Sequence, residues 1–157
     1  AFLKAAQIAK QSNTKIILSL SDSFCVDRHR KSFLELIDEY VDIVFCNESE
    51  AFSLFQKDKL ATLQGDLSSL CELAVVTLGS NGSLIITKND CKIIKSITKK
   101  EIIDTTGAGD IYAGGFIHGL INNYPLKRCG EIGSICAGHI ITELGSRSNI
   151  DLKELIK

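Results

Sequence analysis

Short apolar runs alternate with amphipathic helical segments through residues 1–80, and this alternation constrains the fold more than any other feature of the sequence. Each run is bounded by polar residues, which predicts buried strands at 15–20, 42–46 and 73–78. Apolar residues at helical spacing predict helices at 2–12, 27–40, 48–55 and 61–71. Strands that alternate with helices form βαβ units around a parallel sheet. We therefore predict an α/β fold with a mostly parallel central sheet flanked by helices.

Turn and capping residues organise the rest of the chain. Gly79-Ser-Asn-Gly82 predicts a turn with positive φ at its Asn and Gly positions. Pro125 fits the first turn of a helix, and Asp151 fits the cap of a short final helix. The predicted strands of this part are 83–87, 91–97 and 100–103, the predicted helices are 107–122 and 126–144, and residues 21–25 are predicted to form a loop.

Composition indicates one globular domain over residues 1–157, because 45% of the residues are hydrophobic and 24% are charged. A net charge of -1 gives no attraction toward nucleic acid or an anionic membrane, and no apolar run approaches the roughly 20 residues of a membrane span. The six cysteines show neither C-x-x-C nor zinc spacing, which predicts reduced, buried thiols in a cytoplasmic protein. His29 and His118 are interpreted as structural or surface residues, and Lys99-Lys100 as a solvated turn.

The sequence contains no methionine, and Ala1 enters a helical pattern without a capping residue before it. A truncated chain is the simplest explanation of both features.

The segment Asp104-Thr-Thr-Gly-Ala-Gly-Asp110 precedes a predicted helix and carries the clearest chemical signal. Gly107 and Gly109 let the backbone approach a ligand, and the unpaired N–H groups of a helix start favour a phosphate there. Asp110 in the first turn would then suit a general base. An ordinary glycine-rich helix start with a first-turn acid is the alternative, and the residues alone leave both open. Three interior glycines, each less favourable than Ala by about 1 kcal/mol, suggest close packing of this helix on a neighbour or a ligand; they are Gly114, Gly115 and Gly119.

Two other glycine motifs are excluded. A dinucleotide fingerprint starting at Gly107 would need glycine where Tyr112 stands, and a Walker A loop needs a Gly-Lys-Ser/Thr sequence that the chain lacks. Asn47, Gly79 and Asp104 each follow a predicted strand, and ligands of parallel sheets bind beyond the carboxyl ends of strands. We therefore expect these three positions to meet at one edge of the sheet.

The segment from Asp104 to Phe116 resembles the second signature of the ribokinase-like (PfkB-type) carbohydrate and nucleoside kinase family. Asn47-Glu-Ser-Glu50 resembles the family's N-x-x-E motif, and Val76-Thr-Leu-Gly-Ser-Asn-Gly82 its nucleotide-binding turn. Residues 18–52 most resemble the adenosine-kinase-like branch. The resemblance implies a ribokinase-like three-layer sandwich.

The resemblance also implies roles in phosphoryl transfer. Asp110 would be the catalytic base, and the N–H groups of Gly107, Ala108 and Gly109 would form the anion hole for the γ-phosphoryl group. Asn47 and Glu50 would act near Mg²⁺ and the phosphates through water. Taken without the other motifs, the latter pair is better explained as a strand-end Asn and a solvated helix Glu.

Further roles concern ATP and a monovalent cation. Asp104 and Thr106 resemble positions that contribute carbonyl oxygens to a K⁺-type site in many members. Residues around Cys136 often pack near the adenine, although His139 fits a helix residue with a satisfied hydrogen bond equally well. The positions implied to contact the nucleotide are Thr77, Gly79, Gly82, Thr106, Ala137 and His139, besides Asn47 and Glu50.

Complete members of that family carry a further N-terminal half with a β lid and most substrate-binding residues, and the family's first, glycine-rich signature has no counterpart here. The resemblance therefore implies that residues 1–157 are the C-terminal nucleotide-binding portion of an ATP-dependent phosphotransferase. Its acceptor would be adenosine or a related sugar or nucleoside, and the fragment alone would have little activity. A homodimer formed through the lid of the full-length protein stays open. The alternative is a non-catalytic nucleotide-binding or interaction module.

Overall fold

A computed structural model describes residues 1–97 and 101–156, and its strands and helices alternate along the first half of the chain. The strands in the described residues are β1 (Ile17–Ser19), β2 (Ile43–Asn47), β3 (Leu73–Thr77), β4 (Ser83–Thr87) and β5 (Cys91–Ile94). The α-helices are α1 (Phe2–Gln11), α2 (Ser23–Arg28), α3 (Arg30–Tyr40), α4 (Glu48–Phe55), α5 (Leu60–Leu70), α6 (Ala108–Ile121) and α7 (Leu126–Ile140). Short 3₁₀ helices cover Gly79–Asn81 and Leu152–Leu155.

The five strands form one sheet in the order β1-β2-β3-β4-β5. The first three strands are parallel, with Ile17 opposite Ile43 and Ile43 opposite Leu73. Parallel neighbours need a crossover of a dozen or more residues, which the intervening helices provide. The connections 78–82 and 88–90 are too short for a crossover, so β3, β4 and β5 follow one another antiparallel. Helices flank this mostly parallel sheet, which confirms the predicted α/β class.

Contacts divide the chain into two compact units, the first of residues 1–77 and 86–91 and the second of residues 78–85 and 92–157. In the first unit, β2 and β3 are almost continuously buried, as expected of parallel strands covered on both faces. The apolar side chains that fill the spaces between this unit's helices and strands include Val26, Ile37, Val44, Leu54, Leu63, Leu67 and Val75.

In the second unit, α6 packs closely along α7. A Cβ atom on Gly115 would lie 3.1 Å from Gly133 Cα, and one on Gly119 would lie 3.0 Å from Cys129 Cα. The predicted close packing is confirmed at these two glycines. At Gly114 a Cβ would meet no described atom within 4 Å, so close packing on a ligand stays a prediction there.

Several element boundaries differ from the predictions because tertiary or capping contacts decide them. Residues 21–25 were predicted as a loop, which is wrong, since Asp22 caps α2 by accepting a hydrogen bond from Phe24 N–H at 2.8 Å. The predicted helix 27–40 is interrupted at His29. Strand β5 ends at Ile94 rather than at residue 97, and α7 ends at Ile140 rather than at residue 144.

The predicted strand 100–103 is not found. Lys100 lies outside the described residues, as does the predicted Lys99-Lys100 turn. Residues 101–103 adopt no regular structure, and Ile103 N–H instead donates to the carbonyl of Ile141 at 2.8 Å. This backbone bond attaches the segment to the chain that follows α7.

The cysteines are free thiols with mixed exposure. Cys46, Cys129 and Cys136 are buried as predicted, whereas Cys71 and Cys91 are half-buried and Cys25 is exposed. Burial raises the pKa of the Cys71 thiol to about 11. None of the helices within the described residues has the length and apolar character needed to cross a membrane. Across that same part of the chain, no group of three or more His, Cys, Asp or Glu side chains could hold a metal ion.

Candidate active site

The helix α6 begins at a sharp backbone turn on Gly107. This residue is the N-cap in the left-handed conformation, with φ of 77° and ψ of 2°. A side chain here would also clash, because a Cβ on Gly107 would lie 2.6 Å from the Cβ of Ser146. The predicted glycine-rich helix start is therefore confirmed, and glycine is required at position 107 by both conformation and space.

Asp104 fixes the loop that leads into this helix start. Its Oδ1 accepts hydrogen bonds from the N–H of Thr106 at 2.9 Å and from the Thr106 hydroxyl at 2.7 Å. Its Oδ2 accepts from the N–H of Gly145 at 2.9 Å. These bonds, led by that from the Thr106 hydroxyl, hold the pKa of the Asp104 carboxyl below its usual range. The side chain is thus a carboxylate that joins two separate segments.

The N–H groups at the start of α6 are those that a bound anion could use. Ala108 N–H donates to the carbonyl of Thr105 at 3.2 Å. No acceptor in residues 1–97 and 101–156 pairs with the N–H groups of Gly107, Gly109 and Asp110. Unpaired N–H groups at a helix N-terminus favour an anion. The predicted set of Gly107, Ala108 and Gly109 therefore differs from the unpaired set at two positions, since the N–H of Ala108 is paired and that of Asp110 is unpaired.

The carboxylate of Asp110 lies in the first turn of α6 and is exposed to solvent. It has no hydrogen-bond or ion-pair partner within the described residues. Gly109 beside it leaves open space, because a Cβ there would meet no described atom within 4 Å. The helix start thus combines unpaired donors with an accessible carboxylate, which can bind an anion and accept a proton from a neighbouring hydroxyl.

In the first unit, Asn47 and Glu50 form a capping box at the start of α4. Asn47 Oδ1 accepts from Glu50 N–H at 2.8 Å, and Glu50 Oε2 accepts from Asn47 N–H at 3.0 Å. Asn47 Nδ2 also donates to Glu50 Oε1 at 2.7 Å. The sequence interpretation missed this box, although Asn followed by Glu three residues later is its pattern.

Glu50 is not a solvated helix residue, because only 5% of it is exposed. Burial raises the pKa of its carboxyl, and the nearby charge of Asp22 acts in the same direction. Each carboxylate oxygen accepts one hydrogen bond from Asn47 and keeps a further lone pair. Direct metal ligation would compete with the capping box, whereas a metal-bound water can donate to the remaining lone pairs. The pair therefore fits an indirect role beside Mg²⁺, which usually keeps several waters.

Thr77 lies opposite Asn47 in the register of β2 and β3, so these two residues are neighbours at the carboxyl ends of their strands. The following turn belongs to the second unit. Its positive φ values fall on Gly79, at 57°, and Gly82, at 92°, and not on Asn81. Leu78 N–H closes the turn by donating to the carbonyl of Gly82 at 2.8 Å.

His139 lies near the end of α7 and is paired within the protein. Its Nε2 lies 3.3 Å from Glu143 Oε1 and 3.2 Å from Ser148 Oγ. The interpretation of His139 as a helix residue with a satisfied hydrogen bond is confirmed. A contact of His139 or the half-buried Ala137 with adenine stays a prediction.

Sequence reasoning missed the segment 141–150, which returns against the helix start and against His139. Glycine at position 145, with φ of 87°, was the available signal, since such residues often end helices. The structure brings Asn47, Glu50 and Thr77 together in one unit, and Asp104, Thr106 and Gly107 together in the other. The expected meeting of Asn47, Gly79 and Asp104 at one edge stays a prediction.

Known proteins share this fold. Residues 1–153 match the pfkB family carbohydrate kinase. A nucleoside kinase of Methanocaldococcus jannaschii is 31% identical over 150 residues, which cover 94% of this chain and 47% of that protein. A solved probable sugar kinase from Rhizobium etli has a TM-score of 0.94 at 40% identity, covering 98% of this chain and 47% of that one. The adenosine kinase of Sinorhizobium meliloti has the same TM-score at 36% identity, with the same shares covered. The chain thus spans about half the length of the curated relatives it matches.

Proposed function

Since this chain belongs to the pfkB family of carbohydrate kinases, we propose that it provides the phosphoryl-transfer centre of an ATP-dependent kinase. The acceptor would be a hydroxyl group of a sugar or nucleoside, because relatives include sugar, nucleoside and adenosine kinases. The likeness to the adenosine kinase of Sinorhizobium meliloti favours adenosine or a related compound. The observation that carries the proposal is the start of α6, where unpaired N–H groups stand beside the accessible carboxylate of Asp110.

In the proposed reaction, Asp110 accepts the proton of the acceptor hydroxyl as that oxygen bonds to the γ-phosphorus of ATP. The bond from the γ-phosphorus to the bridging oxygen breaks, and ADP leaves with that electron pair. The unpaired N–H groups at Gly107 and Gly109 would stabilise the charge on the transferring group, joined by that of Ala108 if it leaves Thr105. Donors fixed in advance supply most of what phosphoryl transfer needs.

Metal ions would assist this reaction. Mg²⁺ neutralises phosphate charge when bound, and Asn47 and Glu50 would hold its waters through the lone pairs described above. A monovalent cation such as K⁺ would bind the backbone carbonyl oxygens of Asp104 and Thr106. Neither carbonyl accepts a hydrogen bond within the described ranges 1–97 and 101–156, so both are available as ligands.

The nucleotide would lie along the turn that follows β3. Gly79 and Gly82 have positive φ in this turn, and Thr77 ends the preceding strand. We propose that these residues contact ATP together with a second group consisting of Thr106, Ala137 and His139.

The test is the substitution Asp110→Asn in a longer polypeptide that contains residues 1–157 and matches the full length of the relatives. Loss of a general base should lower kcat by about 10²–10⁴-fold, because this is the usual contribution of positioned proton transfer. Nucleotide affinity should be retained, as measured by calorimetry with ADP. Asp151→Asn is the matched control, since Asp151 only caps the final 3₁₀ helix by accepting from Lys153 N–H at 3.0 Å. Near-normal turnover in Asp110→Asn, across a panel containing adenosine, ribose and fructose, would show that Asp110 is not the base.

Because this chain spans only about half the length of its relatives, an alternative to the kinase function is a non-catalytic nucleotide-binding or interaction module. The kinase and a nucleotide-binding module both predict ATP binding, but only the kinase predicts acceptor-dependent ADP release by the longer polypeptide. We also expect little turnover from residues 1–157 alone, because the relatives use about twice this length. A homodimer and a cytoplasmic location stay predictions.

A further inference from the structure

The carboxylate of Asp104 makes more contacts than a helix-start loop requires. A local turn uses one carboxylate oxygen and a donor two residues on, and Oδ1 with Thr106 supplies that. The second oxygen instead reaches Gly145 N–H, 41 residues further along the chain. This second bond therefore serves to hold two separate segments together.

Two other contacts show that the same segments are fitted to each other. At one end, the N–H groups of Ile103 and Asp104 donate to the carbonyl of Ile141 at 2.8 and 3.3 Å. At the other end, Gly107 lies so close to Ser146 that a Cβ has no room. The hydrogen bond between Asp104 and Gly145 lies between these two contacts, so it fixes the position of loop 104–107 relative to segment 141–146.

The charge of Asp104 indicates that its side chain serves to position the loop and not to bind phosphate. A carboxylate three residues before an anion site repels phosphate, so an uncharged residue would suit the site better if local charge were all that mattered. An ionised carboxylate is, however, the strongest acceptor available for three donors at once.

We propose that Asp104 is a positioning residue for phosphoryl transfer, whose carboxylate locks loop 104–107 against segment 141–146 and so fixes the N–H donors of α6. Asp104 touches neither phosphate nor acceptor through its side chain and acts through Thr106 and Gly107. Donors that are fixed beforehand stabilise a transition state without reorganisation, and a misplacement near 1 Å can lower the rate about 10²-fold. The proposal rests on the proposed kinase function.

The test compares Asp104→Asn with Asp151→Asn in the longer polypeptide. Both aspartates accept a hydrogen bond from the N–H two residues on, so both substitutions perturb the same local turn. Only the first also removes an acceptor from a distant segment. We expect Asp104→Asn to lower kcat by about 10- to 100-fold while KM for ATP changes less than about threefold, because the lost stabilisation belongs to the transition state. Asp151→Asn should leave both constants unchanged.

Two further measurements distinguish a positioning role of Asp104 in catalysis from a merely structural role. Affinity for ADP with aluminium fluoride, a mimic of the transferring group, should fall in parallel with kcat, while affinity for ADP alone is retained. Amide hydrogen exchange should accelerate at Gly145 in Asp104→Asn but not in Asp151→Asn. Asp104→Glu, which keeps the charge but moves the oxygens, should show the same loss of kcat, and it carries the test if Asp104→Asn does not fold.

An unchanged kcat in a folded Asp104→Asn or Asp104→Glu protein would overturn the positioning role. A loss of active protein with normal kcat per folded site would overturn it as well, because it would show only a stability effect. If the wild type turns over substrate and Asp110→Asn abolishes that turnover, the proposed function is still supported, even when either of these results overturns the positioning role. Turnover that survives in Asp110→Asn would instead refute the base assignment of Asp110.

Discussion

The turn that precedes β4 gives a sharp test of backbone geometry through Gly82→Ala. Gly82 has φ of 92° and ψ of -129°, a combination that residues with a Cβ rarely adopt. A Cβ at this position would overlap the carbonyl oxygen of Ile94 and lie 2.9 Å from the backbone N of Ser96. Both clashes involve the backbone, so no side-chain rotation can relieve them.

The magnitude follows from two contributions. A strained backbone of this kind costs about 1–3 kcal/mol, and forcing extra volume into a packed site costs typically about 1–3 kcal/mol more. We therefore expect Gly82→Ala to lower the free energy of unfolding by about 2–6 kcal/mol. This is a large share of the roughly 5–15 kcal/mol that stabilises an ordinary domain.

Gly79→Ala is the matched control in the same turn. Gly79 also has positive φ, at 57°, but a Cβ there would meet no described atom within 4 Å. Only the left-handed backbone is unfavourable, at about 1–2 kcal/mol, and reduced freedom of the unfolded chain offsets about 0.4–1 kcal/mol of it. Urea unfolding followed by circular dichroism should place the midpoint of Gly82→Ala well below that of Gly79→Ala, with similar m-values. Equal midpoints would refute the close approach of the turn to β5.

Two further predictions concern packing and a buried acid. Gly114→Ala should raise the free energy of unfolding by up to about 1 kcal/mol because helix propensity improves in open space, whereas Gly115→Ala should lower it by about 1–3 kcal/mol because its Cβ would meet Gly133. Thermal unfolding of both variants checks this, and the opposite order would contradict the described α6–α7 interface. Because burial raises the folded-state pKa of Glu50, its contribution to stability is present below the unfolded pKa of about 4.3 and is lost as the pH rises through the folded value. Glu50→Gln should therefore gain stability relative to the wild type as the pH rises above the unfolded pKa of about 4.3, and a stability difference that stays constant with rising pH in urea unfolding would exclude a raised pKa.

Local sequence patterns predicted much of the fold correctly. Helix α4 begins and ends at the predicted residues, and β3 and β4 agree with their predicted runs within one residue. Period and polarity over a few neighbouring residues are enough to define such elements. The predicted ribokinase-like fold is confirmed by the likeness to the solved sugar kinase from Rhizobium etli. The family was predicted from three motifs in order, and the match over residues 1–153 confirms it.

The predictions failed where a residue's role depends on a contact that its neighbours do not reveal. Asp22 was predicted in a loop but caps a helix, and Glu50, which without the other motifs is better explained as a solvated helix residue, is a buried member of a capping box. Residues 101–103 were predicted to belong to a strand, yet the N–H of Ile103 donates to the carbonyl of Ile141, in the chain after α7. Their conformation is decided by where a distant segment returns.

The sequence by itself determined the helix start at Gly107, the acid in its first turn at Asp110 and the family to which the chain belongs, because these depend on residue types within a few positions of one another. Only the tertiary structure decided that the Asp104 carboxylate joins the helix start to Gly145, and that Gly82 has no room for a side chain beside β5. Both contacts arise when separate segments pack together, and packing sums over the whole chain rather than over a local window. The position of the donors at the start of α6 is therefore a property of the folded chain, although the donors themselves are visible in the sequence.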